Sequence, residues 1–171
     1  HVSLKKACEL VKKDRIFKVI KLANQAMRDL NIINSKIAVS GLNPHAGEGG
    51  LFGEEEINEI RPAIREAQQE GINVEGPLPP DTAFAKARGG QYDVIIAMYH
   101  DQGHIPAKIV GFIWDEKKTQ WVGMSGVNVT LGLPIIRTSV DHGVAFGKSG
   151  KGQALPDSLI DAIKLAAEFA C

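Results

Sequence analysis

Apolar side chains recur every three or four positions over the first thirty residues of the chain, which is the period of an amphipathic helix. This spacing predicts two helices, over residues 3–13 and 15–30. Ser3 and Asp14 stand at the two predicted starts, where a short polar side chain accepts a hydrogen bond from a free backbone N–H. We therefore expect the chain to open with two capped helices.

Short apolar runs then alternate with further segments of helical period. Buried strands are predicted at 36–40, 72–75 and 93–99. Helices are predicted at 54–70, 81–88 and 157–170. The first of these helices should direct Ile57, Ile60 and Ile64 to the core. It also contains Pro62, and because proline removes a backbone donor we expect a kink or a break near Arg61.

The carboxyl-terminal part of the chain is predicted to contain a β-hairpin and two further strands. Aromatic residues flank the charged tip 115–118, which predicts a β-hairpin over 109–121. Residues 127–131 and 135–139 are predicted as further strands. Helices that alternate with mostly apolar strands are typical of the α/β class. With 171 residues and no repeat or long linker, we expect one domain over residues 1–171.

Composition narrows the possible partners. Twenty basic and twenty acidic residues cancel, which argues against a nucleic-acid partner or an anionic membrane surface. No apolar run approaches the ~18 residues of a membrane helix. The cysteines, Cys8 and Cys171, have no metal-binding or redox spacing, so we expect free thiols and a cytoplasmic location.

Three histidines follow apolar strands by a few residues each: His45, His100 and His142. The loop around His45, residues 41–53, is rich in glycine, and ligands of α/β sheets bind just past the carboxyl ends of strands. Neutral imidazole binds zinc and similar divalent cations, so these residues suggest a metal site. Taken singly, each remains compatible with a hydrogen-bonded loop histidine.

Two cations suggest an anionic ligand beside the metal. Lys108 follows the second histidine segment, although a surface lysine explains it equally well. Arg137 interrupts an apolar run and would need an acidic or anionic partner if it were buried. Arginine is suited to bidentate binding of phosphate or carboxylate.

Nucleotide-binding motifs are absent from the sequence. Residues 143–149 resemble a P-loop, but three residues separate the two glycines where that motif has four. No Gly-x-Gly-x-x-Gly follows a strand, so a Rossmann domain is not expected.

Four long motifs resemble those of the 4-hydroxythreonine-4-phosphate dehydrogenases of pyridoxal phosphate biosynthesis. They are the segments 43–50 (NPHAGEGG), 98–103 (MYHDQG), 126–134 (GVNVTLGLP) and 137–143 (RTSVDHG). The resemblance spans essentially the whole chain but only the carboxyl-terminal half of such enzymes. It implies part of a three-layer α/β/α fold of the isocitrate and isopropylmalate dehydrogenase type, which binds NAD without a Rossmann motif.

The resemblance also implies roles for single residues. The metal-binding histidines of the family match His1, His45 and His100, which replaces His142 in the set deduced above. The substrate-binding residues match Lys108, Asn128 and Arg137. Cofactor binding is expected around His142, Gly143, Gly150 and Gly152. Lys108 and Asp101 are the candidates for a catalytic role. The metal site of such enzymes is shared between two subunits, so a homodimer is implied.

The implied reaction is an NAD- or NADP-dependent oxidation of a phosphorylated hydroxy acid, with decarboxylation, assisted by a divalent cation such as Zn, Mg or Co. 4-Hydroxythreonine 4-phosphate is the first expected substrate. Residues 113–125, which look like an insertion, and His104-Ile105-Pro106 resemble instead a subgroup that acts on 4-phospho-D-threonate or 4-phospho-D-erythronate. Both substrates remain open at this point.

Two other functional classes also remain open. The histidines would suit a zinc hydrolase in which Asp101 or Glu48 activates a metal-bound water. They would also suit a non-catalytic dimerisation module held together by a metal. Formation of NADH would distinguish the dehydrogenase from both.

Overall fold

The computed structural model describes residues 1–117, 119–141, 143, 146–152 and 154–170. Of the residues discussed above, Lys118, His142 and Cys171 lie outside these ranges. Contacts concentrate in two compact units, His1–His104 and Ile105–Cys171. Two compact units can belong to one folding domain, so the single domain over residues 1–171 stays a prediction.

The first unit alternates helices with short strands. Its elements are α1 (Leu4–Leu10), α2 (Lys13–Asp29), β1 (Ile37–Ser40), tight turns at Pro44–Gly50, a π-helical turn (Glu56–Ile60) that leads into α3 (Arg61–Gln69), β2 (Val74–Leu78), α4 (Pro80–Arg88), β3 (Val94–Ile96) and the start of α5 (His100–Gly111). The three strands form a parallel sheet in the order β2–β1–β3. The α/β class is therefore confirmed.

Strand β1 forms the centre of this sheet. Ile37 lies opposite Val74 of β2 on one side and Val94 of β3 on the other. All four residues of β1 are buried, as expected for an apolar run that has a strand on each side. Because all three strands run in parallel, the segments that follow β1 and β3 leave the sheet at the same edge. These two segments carry His45 and His100.

Apolar side chains from α2, α3 and the sheet make up the core of the first unit. The largest fully buried apolar side chains are Ile20, Ile37, Val39 and Ile60. Ile60 and Ile64 face the core as predicted, but Ile57 is 44% exposed and that prediction was wrong. The backbone stays helical through Ile60 and Arg61, so the chain does not break there; a π-helical turn leads directly into α3 at the position where Pro62 lacks a backbone donor.

The helix starts give a mixed result. Ser3 caps α1, since its Oγ accepts a hydrogen bond from the backbone N of Lys6 at 3.3 Å. Asp14 does not cap α2, because the helix begins at Lys13 and Lys12 occupies the cap position. The backbone N of Lys13 donates instead to Oε2 of Glu59 at 2.8 Å. A distant carboxylate thus replaces the local cap.

Helix α5 was not predicted from the sequence. Strand β3 ends at Ile96, and the segment expected to be a loop after it forms a helix that begins at His100. Gly103 and Pro106 both lie inside α5, and their low helix propensity hid it. Consequently His100 is the first residue of a helix and not a loop residue.

The second unit contains two antiparallel pairs of strands and a helix. Strands β4 (Phe112–Asp115) and β5 (Gln120–Met124) form the predicted hairpin, which starts later than expected because α5 runs to Gly111. Strand β6 (Val127–Val129) pairs with β7 (Thr138–Val140), and α6 (Asp157–Glu168) follows a short helical turn at Phe146–Lys148. Among the described residues, no helix is long and apolar enough to span a membrane.

Candidate functional site

The loop after β1 holds His45 in a rare backbone conformation. Six consecutive residues, His45 to Gly50, have positive φ, with values of 53° at His45, 53° at Ala46 and 41° at Glu48. Left-handed backbone is unfavourable for residues that carry a Cβ, by about 1–2 kcal/mol each. Strain of this kind persists only where the surroundings enforce it, and it concentrates at functional sites.

The same turns direct the imidazole outward. Ala46 is only 6% exposed and Gly47 is also buried, whereas His45 is exposed. The ring of Phe52 lies beside the imidazole, with 6.1 Å between the ring centroids. His45 is therefore accessible to a ligand at the carboxyl end of the central strand.

A buried glutamine joins this loop to the segment that carries His100. Gln102 is 9% exposed, and its Nε2 donates to the carbonyl oxygen of Gly41 at 2.9 Å. Its Oε1 accepts from the backbone N of Met98 at 2.7 Å. The side chain thus connects the end of β1 with the residues after β3. This contact fixes the two histidine-bearing segments against each other.

Three imidazoles lie together at the start of α5. The ring centroids of His1 and His100 are 4.8 Å apart, and those of His100 and His104 are 4.3 Å apart with nearly parallel rings. Nδ1 of His100 lies 2.7 Å from Oδ1 of Asp101, a hydrogen-bond distance. A carboxylate on one ring nitrogen of a histidine orients the ring and leaves Nε2 for a metal.

A cavity of about 360 Å³ adjoins two of these histidines. Its wall includes His1, His100, Tyr99 and Arg15, together with apolar residues of α1 and α2. Pockets for small molecules begin at about this size. The cavity combines an apolar surface with two imidazoles, the guanidinium group of Arg15 and the carboxylate of Asp101.

The predicted metal ligands are brought together only in part. His1 lies against His100, whereas His45 contacts the ring of Phe52. Within the part of the chain that the structure describes, no group of three or more histidine, cysteine or acidic side chains could hold a metal ion. One chain thus presents imidazoles at a common sheet edge without completing a three-histidine site.

In the second unit, Lys108 forms a local ion pair. Its Nζ lies 3.4 Å from both the backbone oxygen and Oδ2 of Asp141, and 4.7 Å from the centroid of the Phe112 ring. The Lys108 side chain is 40% exposed, so it remains within reach of an anion. Aromatic faces attract ammonium groups, so the contacts with Asp141 and with the Phe112 ring together restrict the position of the Lys108 ammonium group.

Asn128 and Arg137 share one face of the β6–β7 pair. Asn128 lies opposite Ser139, and the backbone N of Thr130 donates to the oxygen of Arg137 at 3.0 Å. Residues two apart on a strand point to the same side, as do directly opposite residues. The guanidinium donates to Oγ1 of Thr130 at 2.6 Å and is exposed, so it needs no buried counter-charge.

The predicted cofactor residues lie in the second unit. Gly143, Gly150 and Gly152 flank the helical turn Phe146–Lys148, while His142 lies outside the described residues. Two residues that contact the site were missed, Glu56 and Gln102, and His104 was noted as part of a subgroup motif but not as a site residue. His104 follows His100 by four residues, the spacing that places two side chains on one helix face, and recognising α5 would have revealed it.

Comparison with known proteins identifies the family. The sequence model described as "Pyridoxal phosphate biosynthetic protein PdxA" matches residues 1–166. This chain belongs to that family. The resemblance deduced from the four motifs is thereby confirmed, and so is the α/β class that accompanies it.

Curated relatives in the family are about twice as long as this chain. A protein of Bradyrhizobium diazoefficiens is 54% identical over 170 residues, which cover 99% of this chain and 49% of the relative. The D-threonate 4-phosphate dehydrogenase of Pectobacterium atrosepticum is 45% identical, with the same coverage of 99% and 49%. The chain spans about half the length of the curated relatives it matches.

A solved structure agrees closely with the fold. The crystal structure of 4-hydroxythreonine-4-phosphate dehydrogenase from Klebsiella pneumoniae is 44% identical and has a TM-score of 0.83. The match covers 99% of this chain and 48% of that one. The arrangement of elements described above is therefore shared with a dehydrogenase of the same family.

Proposed function

We propose that the protein to which this chain belongs is a cytoplasmic, NAD- and divalent-metal-dependent dehydrogenase that oxidises D-threonate 4-phosphate and decarboxylates the product. One observation carries the proposal: His45 and His100 leave adjacent parallel strands at the same sheet edge, and Gln102 ties their segments together. The dehydrogenase names of relatives in the family support the reaction class.

The choice of substrate follows the curated relatives. Those of Pectobacterium atrosepticum and Salmonella typhimurium, 45% and 46% identical, are both named D-threonate 4-phosphate dehydrogenase. 4-Hydroxythreonine 4-phosphate is the second candidate, supported by the name of the Klebsiella pneumoniae dehydrogenase at 44% identity. Both molecules are small phosphorylated hydroxy acids, so either would need the same cationic groups.

The chemistry of the donors fits a divalent cation at His1, His45 and His100. All three are histidines in the first unit, His45 is exposed, and the carboxylate of Asp101 leaves Nε2 of His100 for coordination. A bound cation would act as a Lewis acid on the substrate hydroxyl. His100 keeps its orientation through Asp101, which supports a positioning role for that carboxylate.

The substrate would be held by Lys108, Asn128 and Arg137. Lys108 and Arg137 would bind its anionic groups, and Asn128 would orient it by hydrogen bonding from the same strand-pair face as Arg137. Gly143, Gly150 and Gly152, with His142, would bind the nicotinamide cofactor. These roles rest on the family motifs and, for Lys108, Asn128 and Arg137, on the exposure of their side chains.

A homodimer that shares the metal site would account for the incomplete set of ligands in one chain. Apolar side chains beside His45 support this arrangement: Leu51 is 71%, Phe52 is 44% and Ile57 is 44% exposed. Exposed apolar clusters often mark interfaces. Covering them with a second subunit would also bring additional imidazoles to the same place.

The test is a set of incubations of the full-length protein with NAD, a divalent cation and one phosphate ester at a time, since this chain alone is expected to be inactive. Absorbance of NADH that appears with D-threonate 4-phosphate, and not with 4-hydroxythreonine 4-phosphate, is the expected result. NADH formed only with the second ester would reassign the substrate. Phosphate release without NADH, or metal binding without any turnover, would refute the dehydrogenase.

The metal ligands are tested separately by titration with Zn²⁺ or Co²⁺. We expect His45→Ala and His100→Ala each to abolish metal binding, because each removes one of three imidazoles. His142→Ala is the matched control and should leave the metal affinity unchanged while it weakens NAD binding. Wild-type affinity in either of the first two variants would remove that residue from the site.

A further inference from the structure

The structure contains a buried carboxylate at the base of the His45 loop. Glu56 is 1% exposed, and within the described part of the chain no cation lies at ion-pair distance from it. It accepts hydrogen bonds from the backbone N of Leu42 at 2.8 Å, the backbone N of Asn43 at 2.7 Å and Nδ2 of Asn43 at 3.0 Å. Burying a carboxylate costs free energy unless its oxygens are hydrogen-bonded. Because both oxygens of Glu56 accept hydrogen bonds, we infer that the carboxylate has a specific structural role.

All of these donors belong to the segment that leads into the left-handed turns. Leu42 and Asn43 directly precede Pro44, and His45 is the next residue. Because both oxygens of Glu56 bind this segment, the direction in which the chain leaves β1 is fixed before the first residue of positive φ.

The loop also returns to the same carboxylate after His45. A Cβ at Gly47 would lie 2.7 Å from Oε2 of Glu56, and a Cβ at Gly41 would lie 3.2 Å from Oε1. Gly47, with a φ of 78°, can therefore pass over the carboxylate only because it has no side chain. Backbone on both sides of His45, at residues 42–43 and at Gly47, thus lies against the Glu56 carboxylate. The imidazole of His45 is left exposed on the outside of the loop.

We propose that Glu56 is the positioning residue for His45: its carboxylate holds the strained loop in the one conformation that presents the imidazole to a divalent cation. The role of the cation rests on the function proposed above. Glu56 itself touches neither the cation nor the substrate. It acts through the backbone of residues 42–47, as the outer-shell partners of metal ligands do.

The first test compares Glu56→Gln with Glu54→Gln in the purified protein, by titration with Co²⁺. Both substitutions remove one negative charge from the same short stretch, but Glu54 is exposed, and its carboxylate accepts from Nδ2 of Asn58 at 3.3 Å. We expect Glu56→Gln to weaken Co²⁺ binding by about 10–100-fold. Glu54→Gln should bind Co²⁺ like the wild type.

The second test does not depend on metal. Imidazole signals of the histidines in the metal-free protein are recorded by nuclear magnetic resonance and assigned by single substitutions. In Glu56→Gln the signal of His45 should shift or broaden, because the loop samples other conformations, whereas those of His1, His100 and His104 should not move. A general loss of structure would move all four.

A third variant separates the two proposals. His45→Ala alone should already abolish Co²⁺ binding, so it is compared with Glu56→Gln as a single substitution. If His45→Ala binds Co²⁺ like the wild type, the metal role of His45 fails, but the His45 signal still tests the action of Glu56 on the loop. If His45→Ala loses Co²⁺ while Glu56→Gln keeps full affinity and an unchanged His45 signal, the positioning role is overturned.

Gly47→Ala provides the same test from the other side of the contact, should Glu56→Gln fail to fold. The added methyl group would press on Oε2 of Glu56, which cannot retreat without losing the hydrogen bond from Asn43. Reduced Co²⁺ affinity with a displaced His45 signal is the expected result. Wild-type behaviour of Gly47→Ala would overturn the proposal.

Discussion

Gly76→Ala should be among the most damaging single-methyl changes in the first unit. Gly76 lies in β2 with a φ of 142°, a conformation that residues with a Cβ rarely adopt. An added Cβ would lie 2.5 Å from the carbonyl oxygen of Val39 and 3.2 Å from Cδ1 of Ile64. Val39 is fully buried in the central strand, so its backbone has no room to move away.

Two costs add up at this position. A non-glycine residue in such a backbone conformation costs about 1–3 kcal/mol. Forcing a methyl group into a packed core costs about a further 1–3 kcal/mol. We therefore expect the free energy of unfolding to fall by about 2–6 kcal/mol, a large part of the 5–15 kcal/mol that is typical of native proteins.

Urea unfolding followed by circular dichroism measures this loss, and two neighbouring glycines supply controls. Gly90 has a φ of 80° but open space around its Cβ position, so Gly90→Ala should show backbone strain alone, about 1–2 kcal/mol. Gly89 has a φ of −76°, and Gly89→Ala should be neutral or stabilise by up to about 1 kcal/mol.

The comparison has a clear refuting result. If Gly76→Ala unfolds at the same urea concentration as Gly90→Ala, the methyl group does not press on β1, and the close packing of β2 against Val39 is wrong. If the reasoning holds, Gly76→Ala should also weaken metal binding, because the strand it displaces leads directly into the His45 loop.

Three further changes test the fold and the proposed site. Glu59→Ala should lower the free energy of unfolding by about 1 kcal/mol, because it removes the acceptor of the Lys13 backbone N–H at the start of α2. Hydrogen bonds from the Lys12 side chain and then from the Lys13 backbone lower the pKa of the Glu59 carboxyl, so this stabilisation is complete above the unfolded pKa of about 4.3 and is lost as pH falls through the lowered folded pKa. Arg137→Lys should weaken substrate binding about tenfold and leave metal binding intact, because a point charge cannot replace the planar fork. Leu51→Asp should dissociate the proposed dimer, since it places a charge in the apolar cluster beside His45.

Each of these predictions can fail visibly. Equal urea midpoints for the wild type and Glu59→Ala at neutral pH would contradict the capping role, as would a stability difference that persists at low pH. An unchanged Michaelis constant in Arg137→Lys would remove Arg137 from the substrate site. Sedimentation of Leu51→Asp at the mass of the wild-type assembly would exclude this face as the interface, with Leu4→Asp, at an exposed position on α1, as the matched control.

The sequence by itself determined the features that depend on neighbours along the chain. Helical period located α2 and α6, an apolar run located β1, and Ser3 capped α1 as a short polar residue does. The missing N–H of Pro62 also drew attention to Arg61, where the π-helical turn passes into α3. The four motifs were enough to identify the family, because residues that bind ligands at the ends of strands must be of particular types at particular positions.

Only the tertiary structure decided what Glu56, Gln102 and His100 do. A glutamate in the first turn of an amphipathic helix is expected to face solvent, and Glu56 is buried because backbone donors of a loop thirteen or fourteen residues earlier turn toward it. Helix α5 forms despite Gly103 and Pro106 because Gln102 anchors its first turn to the ends of two strands. One of these contacts joins Gln102 to Gly41, which lies 61 residues earlier in the chain. Hydrogen bonds between distant parts of the chain leave no periodic trace in the sequence, so their partners emerge only when the sheet brings them together.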